Sequence, residues 1–252
     1  MILESFKNHS KVYFVLSLGF LCAFLFFIQF IANDAQAQIN EAVRIGKKIY
    51  IKATQVVKPE STIKLNVKFH KQEHSLSCEI AALKMALNYR GVIISEDELL
   101  KILPFAQPRE RKNNVWGDPN LGFVGKIDGK MPNTGYGVYA KPILEIAKKY
   151  RAASMIENAG LNDLINELSN KNPIVVWTVI GPEKDISWKT PEGKKIKAYQ
   201  IEHAQVVIGF TGSQDNIKKI ILLDPVYGEV YWDKQYFLRK WSMLDRQAIV
   251  IK

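Results

Sequence analysis

The chain has 252 residues, 47% of them hydrophobic and 24% charged, enough apolar side chain to bury the core of one substantial domain and too much for a disordered polymer. Its 35 basic and 25 acidic residues leave a formal charge of +10, but the cations come singly or in pairs, as in Lys47-Lys48, Lys148-Lys149, Lys194-Lys195 and Lys218-Lys219. Without an arginine tract, a zinc-finger spacing or an alternation of aromatic and basic residues, the composition argues against nucleic acid as a partner and leaves a solvated basic face, or attraction to an anionic cell envelope.

Lys7 and Lys11 stand ahead of an uncharged run of 21 residues, 12–32, long enough to span hydrocarbon. Ala35-Gln36-Ala37 follows in the small-x-small form that signal peptidase accepts. The length of the run favours a retained anchor and the Ala-Gln-Ala triplet favours cleavage, so residues 1–37 are expected to be a signal peptide or an N-terminal membrane anchor. In both cases the rest of the chain lies outside the cytoplasm, secreted or held at the cell surface through 12–32. Cys22 follows Gly19-Phe20-Leu21, without the small residue that a lipoprotein signal needs. Residues 38–63 read as a linker or an accessory strand with no chemistry of their own.

From Lys64 to Phe69 apolar and polar residues alternate as in a short strand. The segment after Cys78, EIAALKMALNYR, is rich in helix formers and stops at Gly91, a natural residue just past a helix end. Its apolar side chains go nearly all the way round, which predicts a central buried helix with Cys78 at its start. Ser95 with Glu98 forms a capping box for a second helix, ended by Pro104. Residues 105–140 are rich in glycine, proline and asparagine and have no lasting period, the mark of a functional loop. Helices follow at Lys141 to Tyr150 and Leu161 to Ser169. Strands are then predicted over Ile174 to Ile180, His203 to Phe210, Lys219 to Leu223, Gly228 to Trp232 and Gln247 to Ile251. A hairpin is inserted between 185 and 200, and Asp233 caps a short helix through Trp241. Helices first and an antiparallel sheet afterwards make an α+β fold.

If 1–37 are removed or membrane-bound, Cys78 is the one thiol of the exported part and has no disulfide partner. It reads either as a buried small hydrophobe or as a nucleophile, because free N–H groups at a helix start favour the thiolate. A base must come from His70, His74 or His203. His203 opens an apolar strand, where an imidazole is costly to bury without a partner; it is either a satisfied structural histidine or the base. Asp224, ending the next strand before Pro225, reads as a turn-opening aspartate or as the acid that orients the histidine. Gln72 is a candidate oxyanion donor, together with the Cys78 N–H. His70, Glu73 and His74 suggest a metal site only weakly, and neither metal nor organic cofactor is expected.

Gln72 with Cys78 six residues on, CEIAALKMALNYRG, WGDPNLGFVG at 116–125, GYGVYAKP at 135–142, EHAQVVIGF at 202–210, LLDPVYG at 222–228 and FLRKWSMLDRQAIVI at 237–251 occur in one order. In that order, residues 64–252 resemble the C39-like family of papain-fold cysteine peptidases, single-domain relatives of the bacteriocin leader peptidases that cut after double glycine. The resemblance implies a papain-like cysteine proteinase fold, with a nucleophile helix packed on an antiparallel sheet. It assigns Cys78 as nucleophile, His203 as base and later acid, Asp224 as orienting acid and Gln72 as oxyanion donor, with 116–125 and 135–139 as walls of the cleft. Glu79 stands where glycine is common in the leader peptidases, and no ATP-driven transporter accompanies the domain, so a double-glycine leader is not the expected substrate. The expected function is an exported, monomeric, thiol-dependent hydrolase of a peptide or amide bond in a peptide or protein substrate. A peptidoglycan cross-peptide hydrolase or transpeptidase, and an inactive cell-envelope binding module on the same fold, are the alternatives.

Overall fold

The computed structural model describes residues 41, 44, 61–156 and 158–252; residues 1–37, expected to be a signal peptide or anchor, lie outside them, as does most of 38–63. Met1–Ile51 and Lys52–Lys252 form separate compact units. Of the first, Glu41 and Arg44 are described, one helical turn apart and joined by an ion pair. No helix among the described residues is long and apolar enough to cross a membrane.

The second unit is built on one sheet with the strand order β2-β9-β3-β6-β7-β8, to which β1 is added by pairing with β6. The strands are β1 (Ser61–Lys64), β2 (Ala153–Ile156), β3 (Ile174–Val179), β6 (Glu202–Ser213), β7 (Asn216–Asp224), β8 (Gly228–Asp233) and β9 (Ala248–Ile251). All these pairings are antiparallel. The β-branched and aromatic run of β3, Ile174 to Val179, is buried along its whole length, as a strand flanked on both sides must be. A separate hairpin, β4 (Trp188–Lys189) with β5 (Lys195–Ile196), forms the predicted insertion.

Helix α1 (Cys78–Tyr89) packs on β6 and β3. Ile80, Ala81, Ala82, Leu83, Met85, Ala86 and Leu87 are all buried, so the helix is central because it is apolar around most of its circumference. Gly91, at φ +84°, takes the left-handed position that ends it. Helix α2 (Glu96–Lys101) opens on the predicted box: the Glu98 N–H donates to Ser95 Oγ, and the Ser95 N–H donates to the Glu98 carboxylate. Helices α3 (Ala140–Ala147), α4 (Leu161–Ser169) and α5 (Lys234–Ser242) complete the unit, the last capped by Asp233 accepting from the Gln235 N–H.

Several boundaries differ from expectation. Strand β1 ends at Lys64, where the predicted strand began; Leu65 and Val67 still point inward, but after the Leu65 N–H reaches Ile208 O the ladder stops. Helix α2 ends at Lys101, before Pro104, and α3 gives way to turns after Ala147. Strand β2 has no sequence signal of its own; it exists because β9 presents an edge along Ala153 to Ile156. The 105–140 segment is irregular but pinned. Phe123 N–H donates to Pro104 O, Tyr136 N–H to Val124 O and Val124 N–H to Gly137 O, while Trp116 and Tyr136 are buried beneath it.

Candidate active site

Residue 78 is the first of α1, and β6 lies directly against it: the Ala204 N–H donates to Cys78 Sγ at 3.4 Å. The thiol itself donates to Glu79 Oε2 at 3.3 Å. A helix start was expected to favour the thiolate. The surroundings outweigh it: burial pushes the Cys78 thiol well above its ordinary value, and the charges of Glu79 and Glu202 push it further.

His203 is the second residue of β6, paired across from Thr178 of β3. Its Nε2 lies 3.0 Å from Asp224 Oδ2, close enough for a strong electrostatic contact although the N–H is not squarely aimed at the oxygen. Asp224 makes both contacts that its sequence position offered. Oδ1 accepts from the N–H groups of Val226 and Tyr227, at 2.7 and 3.1 Å, and closes the turn after β7. Oδ2 faces His203 and also accepts from Gln205 Nε2 at 2.8 Å. Burial alone would raise this carboxyl, but the neighbouring His203, with the two turn N–H groups, holds it below the usual aspartate value. Gln205 is held in turn by Thr178 Oγ1, which donates to its Oε1 at 3.0 Å. These two residues were not read from sequence; their signal is the i, i+2 spacing of Gln205 from His203 on the strand.

Gln72 reaches the same place from the loop before α1, its N–H bound to Pro225 O. Its side-chain amide already has partners. Nε2 donates to the carbonyls of His74 and Ser75, at 2.7 and 3.1 Å, so both amide hydrogens are engaged and an oxyanion can be met only by releasing one. Gln72, Cys78, Glu202, His203, Tyr136 and Val226 line a pocket of about 180 Å³, with Asp224 behind His203. A larger pocket of about 420 Å³, bordered by Lys141, Lys194, Lys195 and Lys197, contains none of these residues.

The acidic pair beside the thiol was not anticipated as a unit. Glu79 and Glu202 are 1% and 3% exposed. Glu79 Oε1 accepts from the Val138 N–H at 2.6 Å. Burial, against that hydrogen bond, lifts Glu79 from 4.5 to about 7, and burial followed by the charge of Glu79 holds Glu202 well above the carboxylate range. Gly137 makes the arrangement possible, since a Cβ there would stand 2.5 Å from Glu79 Oε1 and 2.6 Å from Glu202 Oε2. His70 and His74 do not share a site. His70 Nε2 contacts Glu96 at 2.8 Å and Glu73 at 3.3 Å, whereas His74 pairs with Asp128 at 3.1 Å.

The profile of the Peptidase_C39 like family matches residues 64–249. The uncharacterized protein YvpB of Bacillus subtilis (strain 168) is 30% identical over 181 residues, covering 69% of this chain and 68% of that protein. Among solved structures, a protein from Bacillus anthracis described as a C39-like peptidase superposes with a TM-score of 0.66 at 27% identity, over 77% of this chain and 98% of that one.

Proposed function

The chain belongs to the Peptidase_C39 like family, and on that premise we propose that it is an exported cysteine hydrolase that cleaves a peptide or amide bond with Cys78, His203 and Asp224. The observation that carries the reading is the shared pocket: Cys78 and His203 line it together, and Asp224 stands 3.0 Å behind the imidazole. Asp224 orients the ring through Nε2 and stabilises the imidazolium. That leaves Nδ1 for the thiol proton. Because burial and two carboxylates disfavour a resting thiolate, the proton leaves Cys78 for His203 as sulfur attacks the substrate carbonyl. The C–S bond forms and the carbonyl electrons move to oxygen. The Cys78 N–H stabilises that oxyanion, with Gln72 once it releases a carbonyl. On collapse the C–N bond breaks, the amine takes the proton from His203, and water then hydrolyses the thioester.

The uncharged run at 12–32 supports export, and the basic balance suits an anionic envelope. The test is hydrolysis of a peptide library and of purified cell wall, read as new amine termini. Wild type is expected to release termini, while Cys78→Ala and His203→Ala each lose at least about a hundredfold in rate. Full activity of Cys78→Ala on every substrate cleaved by the wild type would overturn the reading. The raised thiol and the engaged amide of Gln72 favour a second one, a binding module: no turnover, with wall binding unchanged in Cys78→Ala, would select it.

A further inference from the structure

Cys78, Glu79 and Glu202 bring three donors to one buried point, and the hydrolysis proposed above uses only the first. One atom from each, the sulfur and one carboxylate oxygen apiece, lie within 4.8 Å of one another, in residues that are 6%, 1% and 3% exposed. Glu79 is anchored by the Val138 N–H and faces the thiol. Glu202 is not anchored: both its oxygens are buried, and neither has a hydrogen-bond partner among the described residues. A buried carboxylate left so is strongly unfavourable unless a proton or a cation satisfies it. Gly137 leaves the space in which the two carboxylates lie side by side. Cys78 and Glu202 both border the 180 Å³ pocket, which gives an entry path.

We propose that this cluster is a seat for a thiophilic divalent cation of the zinc class, held by Cys78 Sγ, Glu79 Oε2 and one oxygen of Glu202, with a fourth position toward the pocket. Tetrahedral zinc, with bonds of about 2.3 Å to sulfur and about 2.0–2.2 Å to oxygen, sets neighbouring donors roughly 3.5 Å apart. The Cys78 and Glu79 atoms are already 3.3 Å apart, and Glu202 needs to approach by about an ångström. Sulfur in the set selects against magnesium and calcium, which take oxygen. As the metal–sulfur bond forms, the thiol proton is released to solvent, as is any proton on the carboxyls. The other acid and histidine cluster, His70 with Glu73 and Glu96, already has a cation: Lys84 Nζ lies 3.2 Å from His70 Nδ1 and 3.5 Å from Glu73. Occupied, the Cys78 seat blocks the nucleophile. That consequence rests on the proposed hydrolase function, but the binding does not.

The experiment uses the full chain with Cys22→Ala, so that Cys78 is the single thiol. Cobalt(II) is titrated and the thiolate-to-metal charge-transfer band is followed, then displaced with zinc. One equivalent is expected to saturate the band. Cys78→Ser abolishes it, Glu79→Gln and Glu202→Gln each weaken binding at least about tenfold, and Glu73→Gln leaves it unchanged. Stoichiometric zinc is also expected to protect Cys78 from iodoacetamide, read by intact mass, until a chelator is added. Absence of the band, or a band of undiminished affinity in both Glu79→Gln and Glu202→Gln, each folded by circular dichroism, overturns the proposal. Zinc protection of the thiol in a chain that hydrolyses nothing in any state would uphold the seat and reject the hydrolase.

Discussion

Replacing Asp224 with asparagine removes a charge but almost no volume, so its effect measures what the carboxylate does. Three hydrogen-bond donors converge on this fully buried group, the N–H groups of Val226 and Tyr227 on Oδ1 and Gln205 Nε2 on Oδ2, and His203 Nε2 lies 3.0 Å from Oδ2. Asparagine offers one oxygen. If it serves the turn, its amide faces the Gln205 amide and the imidazole donor to donor. If it serves those two, it opposes the turn N–H groups. Losing one charged hydrogen bond to a buried carboxylate is worth about 1.5–3 kcal/mol, and in either orientation asparagine gives up at least one. We expect Asp224→Asn to lose about 1.5–3 kcal/mol at pH 7, read by urea unfolding through the buried tryptophans 116, 177, 188, 232 and 241. The pH dependence carries its own sign. A carboxyl held below its unfolded value stabilises the fold above about pH 4 and ceases to do so as pH falls through the folded value. The gap between wild type and Asp224→Asn therefore narrows toward acid. A loss below about 1 kcal/mol, the size of an exposed ion pair, or a gap independent of pH, would refute the account of His203 and Asp224 as a coupled buried pair.

Glu79 titrates with the opposite sign: raised by burial from 4.5 to about 7, it gives its full stability below about pH 4.5 and loses it as pH rises through about 7. With chelator present, Glu79→Gln should gain on wild type by up to about 3 kcal/mol between those limits; parallel urea midpoints across the range would contradict it. In Gly137→Ala the new methyl meets both carboxylates at 2.5 and 2.6 Å, so a loss of about 1–3 kcal/mol is expected. Glu202→Ala in the same chain should restore part of it, and thermal melts of the single and double variants decide the matter. Ser95→Ala removes the cap from α2 and should lower stability by about 1 kcal/mol, with no change in Cys78 alkylation rate by intact mass.

Much of the frame was legible because its signals are local. The breaker-free segment after Cys78 ends at Gly91, Ser95 and Glu98 make their box, and β3, β6, β7 and β8 lie where β-branched residues cluster. Where the reading failed, the cause was a partner far along the chain. Strand β2 is a strand because β9 pairs with it. Glu79, one residue from the helix start, would be a solvated side chain but for the 136–138 loop that caps and covers it.

The site divides along the same line. Residue type, order and helix phase alone put a cysteine at a helix start, a histidine on a strand and an aspartate at the end of the next, because caps and periodicity depend on neighbours a few residues away. Only the folded chain decided that Gln72 binds carbonyls, that Asp224 serves a turn and an imidazole at once, and that the thiol rests protonated between two acids. Those properties depend on which distant groups share a volume from which water has been removed, and a lowered dielectric has no local mark in a sequence.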